Sequence, residues 1–245
     1  MKTVYPQIVT SADMLKSTIQ LEQLIQKLKQ NNAGAAAITN SRLYGLLPFW
    51  HALHAQQIKA VLGLTVNVQL ETGIVSLVLY AKDNNGYENL LKISSSIETR
   101  EITVLPKRWL EAYKNGLIAV YKGESSTELE LLSELQMIFG NGQFYLAIER
   151  PNGKKMEHEE TIIQYSEQLT IPITAFHMSR YIEKEDAFAY EVLNAMDQSL
   201  KMNDHTRLKP STDSLHILSS EEWSEWFFDA PSWIENTERM LNSCN

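Results

Sequence analysis

A single cysteine, Cys244, stands near the end of this 245-residue sequence. One thiol can form no internal disulfide and cannot build a thiolate zinc site, so the fold must rest on apolar packing. The opening residues Met1-Lys2-Thr3-Val4-Tyr5-Pro6 lack the apolar stretch of a signal peptide, and no uninterrupted apolar run reaches membrane-spanning length. These absences lead us to expect a soluble protein of the reducing cytoplasm, with no membrane partner. Positive charge is in deficit: 22 Lys and Arg face 30 Asp and Glu, a formal net charge of -8. Such a chain repels a phosphate backbone at long range, which argues against strong nucleic-acid binding by this stretch alone. A Gly-rich phosphate loop, a nucleophile elbow, a zinc-protease helix, internal repeats and low-complexity tracts are all missing.

What is present is a sizeable core, with 44% hydrophobic residues. Short apolar runs predict strands at 6–9, 35–39, 59–68, 74–81, 117–121, 144–149 and 171–176. A periodicity of three to four residues predicts helices between them. Residues 18–30 place Ile19, Leu24, Ile25 and Leu28 on one stripe, and 45–55 do the same with Leu46, Phe49, Trp50 and Leu53. Residues 184–199 present Phe188, Val192, Leu193 and Met196 inward. Ser125 with Glu128, and Ser219 with Glu222, read as capping boxes opening helices at 129–139 and 223–228. Asn141 and Gly142 read as a turn. About seven strand–helix alternations imply a mostly parallel sheet covered by helices, and this length suits a closed or distorted α/β barrel. We therefore expect a barrel over 1–200, then a polar loop at 202–214 and C-terminal helices within 201–245.

Ordered blocks of sequence carry a family resemblance. Ala36-Ala37-Ile38-Thr39-Asn40, then Leu43-Tyr44-Gly45, Phe49-Trp50 and Ile58-Lys59-Ala60-Val61-Leu62-Gly63, resemble "A-I-T-D-H … L-Y-G … F-Y … I-K-P-I-I-G-x-E". Ala81-Lys82-Asp83-Asn84-Asn85-Gly86-Tyr87-Glu88-Asn89-Leu90 is similar to "A-x-N-x-x-G-Y-x-N-L". Gly116-Leu117-Ile118, Phe144-Tyr145-Leu146-Ala147-Ile148, Ile171-Pro172-Ile173-Thr174-Ala175 and the close from Glu221 to Asn245 follow in family order. The chain thus resembles, along its whole length, the N-terminal PHP (polymerase and histidinol phosphatase) domain of bacterial DNA polymerase III α subunits. The resemblance implies a distorted (β/α)7-type PHP barrel with a helical C-terminal appendage, followed in the family by a polymerase palm. It also implies a site of several divalent metals at the C-terminal ends of barrel strands, suited to phosphoester hydrolysis.

Carried over residue by residue, that metal site is missing. The two His of the first motif fall on Ile8 and Thr10, and the following Asp-His on Asn40 and Ser41. The family's Glu falls on Thr65 and a further His on Ser76. In the late "N-D-V-H" motif His177, Met178 and Arg180 take the places of Asn, Asp and His, and a last His falls on Tyr190. By this reading no catalytic or metal-ligating residue is expected here, and magnesium would belong to the palm. Other candidates have plain explanations. His51 and His54 are spaced for one ion but read as ordinary helix residues, and the run Glu157, His158, Glu159, Glu160 reads as a solvated helix start. Lys154 and Lys155 are too short a basic patch. The rings of Trp223, Trp226, Phe227, Phe228 and Trp233 read as docking on the barrel.

Three functions are compatible with these residues. The first is a non-catalytic structural domain of a replicative DNA-directed DNA polymerase, a nucleotidyltransferase acting in DNA replication. Its partners would be the rest of the α chain, a proofreading exonuclease, other replisome subunits, and DNA through the full-length protein. The second is a metal-dependent phosphoesterase or 3′–5′ exonuclease. The third is an unrelated α/β binding protein.

Overall fold

Alternation along the strands sets the architecture. In the strand Lys59–Gln69, Leu64, Val66 and Val68 point to one side and Val61 to the other, and each set is buried. A sheet buried on both faces needs a helical layer outside and a filled interior. The computed structural model, which describes residues 2–204 and 214–244, has both. Most of the expected loop at 202–214 lies outside the described residues.

In chain order the elements are β1 (Thr3–Ile8), α1 (Leu21–Gln30), β2 (Ala33–Ile38), α2 (Leu46–His54), β3 (Lys59–Gln69), β4 (Ile74–Ala81) and α3 (Asn84–Thr99). Then come β5 (Leu105–Pro106), α4 (Lys107–Tyr113), β6 (Leu117–Lys122), α5 (Leu129–Phe139), β7 (Phe144–Glu149) and α6 (Glu159–Leu169). The last are β8 (Ile173–Phe176), β9 (Met178–Ser179), α7 (Ala187–Asp197), α8 (Ser220–Trp226) and α9 (Pro231–Asn242). The strand order is β8-β7-β6-β4-β3-β2-β1-β9, with β5 beside β3. β8 and β9 are one extended segment interrupted by His177: Phe176 pairs with Glu149 of β7, and Met178 with Gln7 of β1. The sheet therefore closes on itself into a distorted barrel. Its pairs are parallel except that β4 runs antiparallel to both β3 and β6, a hairpin the parallel expectation did not include.

The outer face packs against helices in two clusters. One joins Leu64, Leu77 and Leu146 to α3 and α5 through Leu90, Ile93, Leu132 and Leu135. The other joins Tyr5, Ile8 and Ile38 to α1 and α2 through Leu24, Leu28, Phe49 and Leu53. The interior is filled by Val4, Ala35, Val61, Tyr80, Ile118 and Phe176, and one end is closed by Met240 and Leu241 of α9 and by Cys244 just beyond it. Burial of this kind contributes about 1.5–3 kcal/mol per large aliphatic side chain. It also pushes the Cys244 thiol up to about 12, so the only cysteine is inert.

Several local expectations change. Trp50 lies on the outward side of α2, which buries Leu46, Phe49 and Leu53 instead. α7 buries Tyr190 and Ala195 while Phe188 and Met196 are exposed, because that helix is apolar on more than one side and tertiary contact selects the face. The Ser219 capping box forms, with Glu222 N donating to Ser219 Oγ at 3.1 Å. The Ser125 box does not: α5 starts from Glu128 without a side-chain cap, and Thr127 Oγ1 accepts from Glu124 N within the preceding turn.

Candidate functional site at the barrel mouth

The loops after β1 and β2 meet at the C-terminal end of the barrel. Thr10 N donates to Asn40 Oδ1 at 2.9 Å, and Asn40 Nδ2 donates to Thr10 Oγ1 and the Tyr44 carbonyl, both at 3.0 Å. Asp13 takes both donors of Ser41, the backbone N–H at 2.6 Å and the hydroxyl at 2.9 Å. On β3, Thr65 Oγ1 donates to the Thr39 carbonyl at 2.8 Å and accepts from Gln7 Nε2 at 3.3 Å. Thr10 and Asn40 thus bond each other, while Ser41 is held by Asp13 and Thr65 by Gln7 and the Thr39 carbonyl, so all four are engaged within the protein.

Ile8 does not join them. It is fully buried in the outer layer with Ile19, Ile38 and Leu24, facing the helices rather than the barrel. The residue of β1 that reaches inward to Thr65 is Gln7, and period-two alternation puts Val9 on the same side. Ile8 is therefore on the opposite face from the one expected, while Thr10, beyond the end of β1, reaches Asn40. Ser76 is also separate, exposed on β4 opposite Asn67 at the edge of a cleft lined by Tyr121, Glu124 and Glu128.

Across the mouth, buried His177 has Nε2 2.8 Å from the His216 carbonyl and rests edge-on against Trp226. Burial pushes its imidazole down to about 4, outweighing the His216 hydrogen bond and the nearby Glu149 charge, so it is neutral at physiological pH. Met178 is half-buried in β9. Arg180 donates Nη1 to the Lys16 carbonyl at 2.7 Å and lies over the ring of buried Tyr190. His51 and His54 pack on exposed Trp50, His54 stacked at 4.9 Å. Among the described residues no group of three or more His, Cys, Asp or Glu side chains is placed to hold a metal ion.

Three participants escaped the sequence reading. Asp13 could have been noticed as a carboxylate three residues beyond Thr10. Gln7 is visible only once its face is known. His216, with Nε2 3.2 Å from Glu222, has no local signal at all. One reading is overturned outright: Glu159 is buried, with both oxygens held by Arg150 at 2.6 and 3.0 Å. The other members of that run include His158, whose Nε2 lies 3.1 Å from the Gly123 carbonyl.

A family model of the PHP domain matches residues 8–171. The chain belongs to the PHP domain family. This PHP domain is 31% identical to the DNA polymerase III subunit alpha of Bacillus subtilis over an alignment covering 100% of the chain and 23% of that relative. It is 29% identical to the Campylobacter jejuni subunit, with 96% and 22% covered. The chain thus spans less than a quarter of the length of these relatives. A solved structure from Bifidobacterium adolescentis, assigned as a metal-dependent phosphoesterase, superposes with a TM-score of 0.50 at 11% identity, covering 93% of this chain and 96% of that one. That likeness shows the PHP fold alone.

The donor set does not fit the metals that the PHP fold implies. Divalent transition metals at such sites take imidazole and carboxylate ligands. Here the groups at the barrel mouth are hydroxyls, amides and the neutral imidazole of His177, whose Nε2 is engaged with the His216 carbonyl, and both oxygens of Asp13 are occupied by Ser41. Four buried side-chain atoms, Gln7 Oε1, Thr39 Oγ1, His216 Nδ1 and Trp223 Nε1, have no hydrogen-bond partner among the described residues. The amide and hydroxyl oxygens are neutral groups suited to an internal water, and the imidazole nitrogen belongs to no group of three or more potential metal ligands among those residues.

Proposed function

We propose that this PHP domain acts as a non-catalytic scaffold within a DNA polymerase III α subunit. The carrying observation is the polar barrel mouth, where Thr10 bonds Asn40, Asp13 holds Ser41 and Thr65 bonds Gln7 and the Thr39 carbonyl, near the strand ends at which a working family member would present ligands. In this reading the polymerase chemistry and its magnesium belong to a palm outside this chain. The partners are the rest of the α chain and, through it, a proofreading exonuclease, other replisome subunits and DNA. Similarity to α subunits along the whole chain supports that context, and the acidic net charge fits a domain that does not grip DNA itself.

Elemental analysis of the purified chain, run beside a phosphodiester hydrolysis assay, tests the scaffold role. We expect no stoichiometric zinc, manganese or iron and no hydrolysis sensitive to a chelator. Stoichiometric metal together with chelator-sensitive hydrolysis would establish the phosphoesterase or exonuclease reading instead. The polymerase context is tested separately, by immunoblot of native cells with an antibody to this chain. A band several times heavier than 28.0 kDa is expected, and a band at 28.0 kDa would remove that context.

A further inference from the structure

Asparagine followed by glycine occurs four times, at 85–86, 115–116, 141–142 and 152–153. Such a pair is chemically labile when flexible, because glycine has no side chain to keep its own amide nitrogen away from the preceding carboxamide. The fold treats the four pairs differently. Gly86 is buried at the start of α3, and its N–H is held by the Asp83 carboxylate at 2.9 Å. Gly153 N donates to the Arg150 carbonyl at 2.9 Å. Gly116 is wedged against Gly86 so closely that a side chain at 116 would collide with the Gly86 amide, and the Asn115 carbonyl accepts from Asn89 Nδ2 at 2.8 Å.

The remaining pair lies in the exposed turn between α5 and β7. Gly140 and Gly142, on either side of Asn141, have φ of +78° and +80°, and nothing lies within 4 Å of where a Cβ would stand on either. The Gly142 N–H has no hydrogen-bond acceptor among the described residues; neither has that of Gly116, but there the backbone is locked against Gly86 and Asp83, whereas Gly142 stands in open space. Gln136 Nε2 donates to Asn141 Oδ1 at 3.2 Å, which draws electron density from the carboxamide carbon and makes it more electrophilic.

We propose that Asn141 is a site of spontaneous backbone-mediated deamidation, the one Asn-Gly pair that this fold leaves free to react. Gly142 N attacks Asn141 Cγ and forms the new C–N bond of a five-membered succinimide. The Cγ–Nδ2 bond breaks, and the proton lost from Gly142 N departs with Nδ2 as ammonia. Water then opens the ring at one of its two carbonyls, leaving aspartate or isoaspartate at 141. Water is the only co-reactant, and no oxidation state changes. The product places a negative charge just beyond the C-terminal end of α5, where the helix dipole disfavours it, and isoaspartate also lengthens the main chain of the turn.

Peptide mapping by mass spectrometry decides the matter, on folded chain incubated in mildly alkaline buffer and on the same chain in denaturant. Isoaspartyl content is read by enzymatic methylation. In the folded chain we expect Asn141 to convert at least an order of magnitude faster than Asn85 and Asn152, and faster than Asn115. In denaturant the four rates should converge, and Gly142→Ala should slow conversion at 141 without changing the other sites. Conversion at 141 no faster than at 85, 115 or 152 in the folded chain overturns the proposal.

Discussion

Arg150 is 3% exposed yet carries a full charge, which the surroundings answer group by group. Glu159 accepts from Nε and Nη2, Asp229 and the Trp226 carbonyl accept from Nη1, and the Phe227 and Trp233 rings flank the guanidinium at 5.3 and 5.2 Å. Removing one partner strands the other charge in a low-dielectric setting, so Arg150→Met should cost about 3–5 kcal/mol in urea unfolding. The double variant with Glu159→Gln should recover part of that loss, since the stranded charge is then gone. His177 makes a second prediction at this scale. Its folded-state pKa of about 4 lies below the ordinary 6.5, so the unfolded chain binds the proton more readily. Its effect on stability is absent above pH 6.5, and stability is lost as pH falls from there towards about 4, by about 3 kcal/mol in all. Urea midpoints across that window should drop for the native chain and drop less for His177→Gln. The carboxylate of Glu222, held down to about 2 by Lys184, Ser219 and His216 against its own burial, gives way only at lower pH.

Between elements, the loops following β1 and β2 are clamped by side chains. Asp13 reaches from the first loop to both donors of Ser41, and Asn40 bonds Thr10 and Tyr44. Hydrogen bonds to a charged acceptor contribute about 1.5–3 kcal/mol. Asp13→Ala should therefore lower stability by about that much, and hydrogen exchange should accelerate at 11–17 and 41–45 while α5 and β7 stay unchanged. Adding zinc or manganese should not rescue the variant, because no ligand set is created. Elements also show how far the sequence could be read. The runs at 74–81 and 144–149 matched β4 and β7 to the residue, because each is apolar enough to be a buried strand in any context. α7 turns inward a different face from the one its periodicity predicts, because Phe188 and Met196 are as apolar as Tyr190 and Ala195 and periodicity alone does not choose between its sides. Ile8 shows the same limit in a strand: when both faces are buried, alternation defines two sets without saying which one looks inward.

At the scale of the whole molecule, α9 seals the barrel from the end opposite the polar cluster. Met240 and Leu241 are fully buried among Val4, Ala35 and Phe176, and Thr237 donates to the Ala175 carbonyl at 2.7 Å. Leu241→Ala should destabilise the chain by about 2–5 kcal/mol, since the closed sheet cannot collapse onto the space left behind. Denaturant titration with two spectroscopic probes would check this, and coincident transitions would show that α9 unfolds together with the barrel. The sequence by itself determined that the chain builds an α/β barrel, that it resembles the PHP family, and that His and carboxylates are scarce where the family's motifs fall. Local apolar periodicity and residue identity are properties of short segments and survive without context. Only the tertiary structure decided that Gln7 rather than Ile8 faces the barrel, that Glu159 is a buried ion-pair partner, and that Asp13 closes the mouth. Each of these depends on which surface a residue meets across the fold. Arg150 and Asp229 are brought together by docking of the C-terminal helices on the barrel, and Thr10 and Asn40 by the parallel pairing of β1 and β2, and neither member of such a pair carries a mark of the other in its own neighbourhood of sequence.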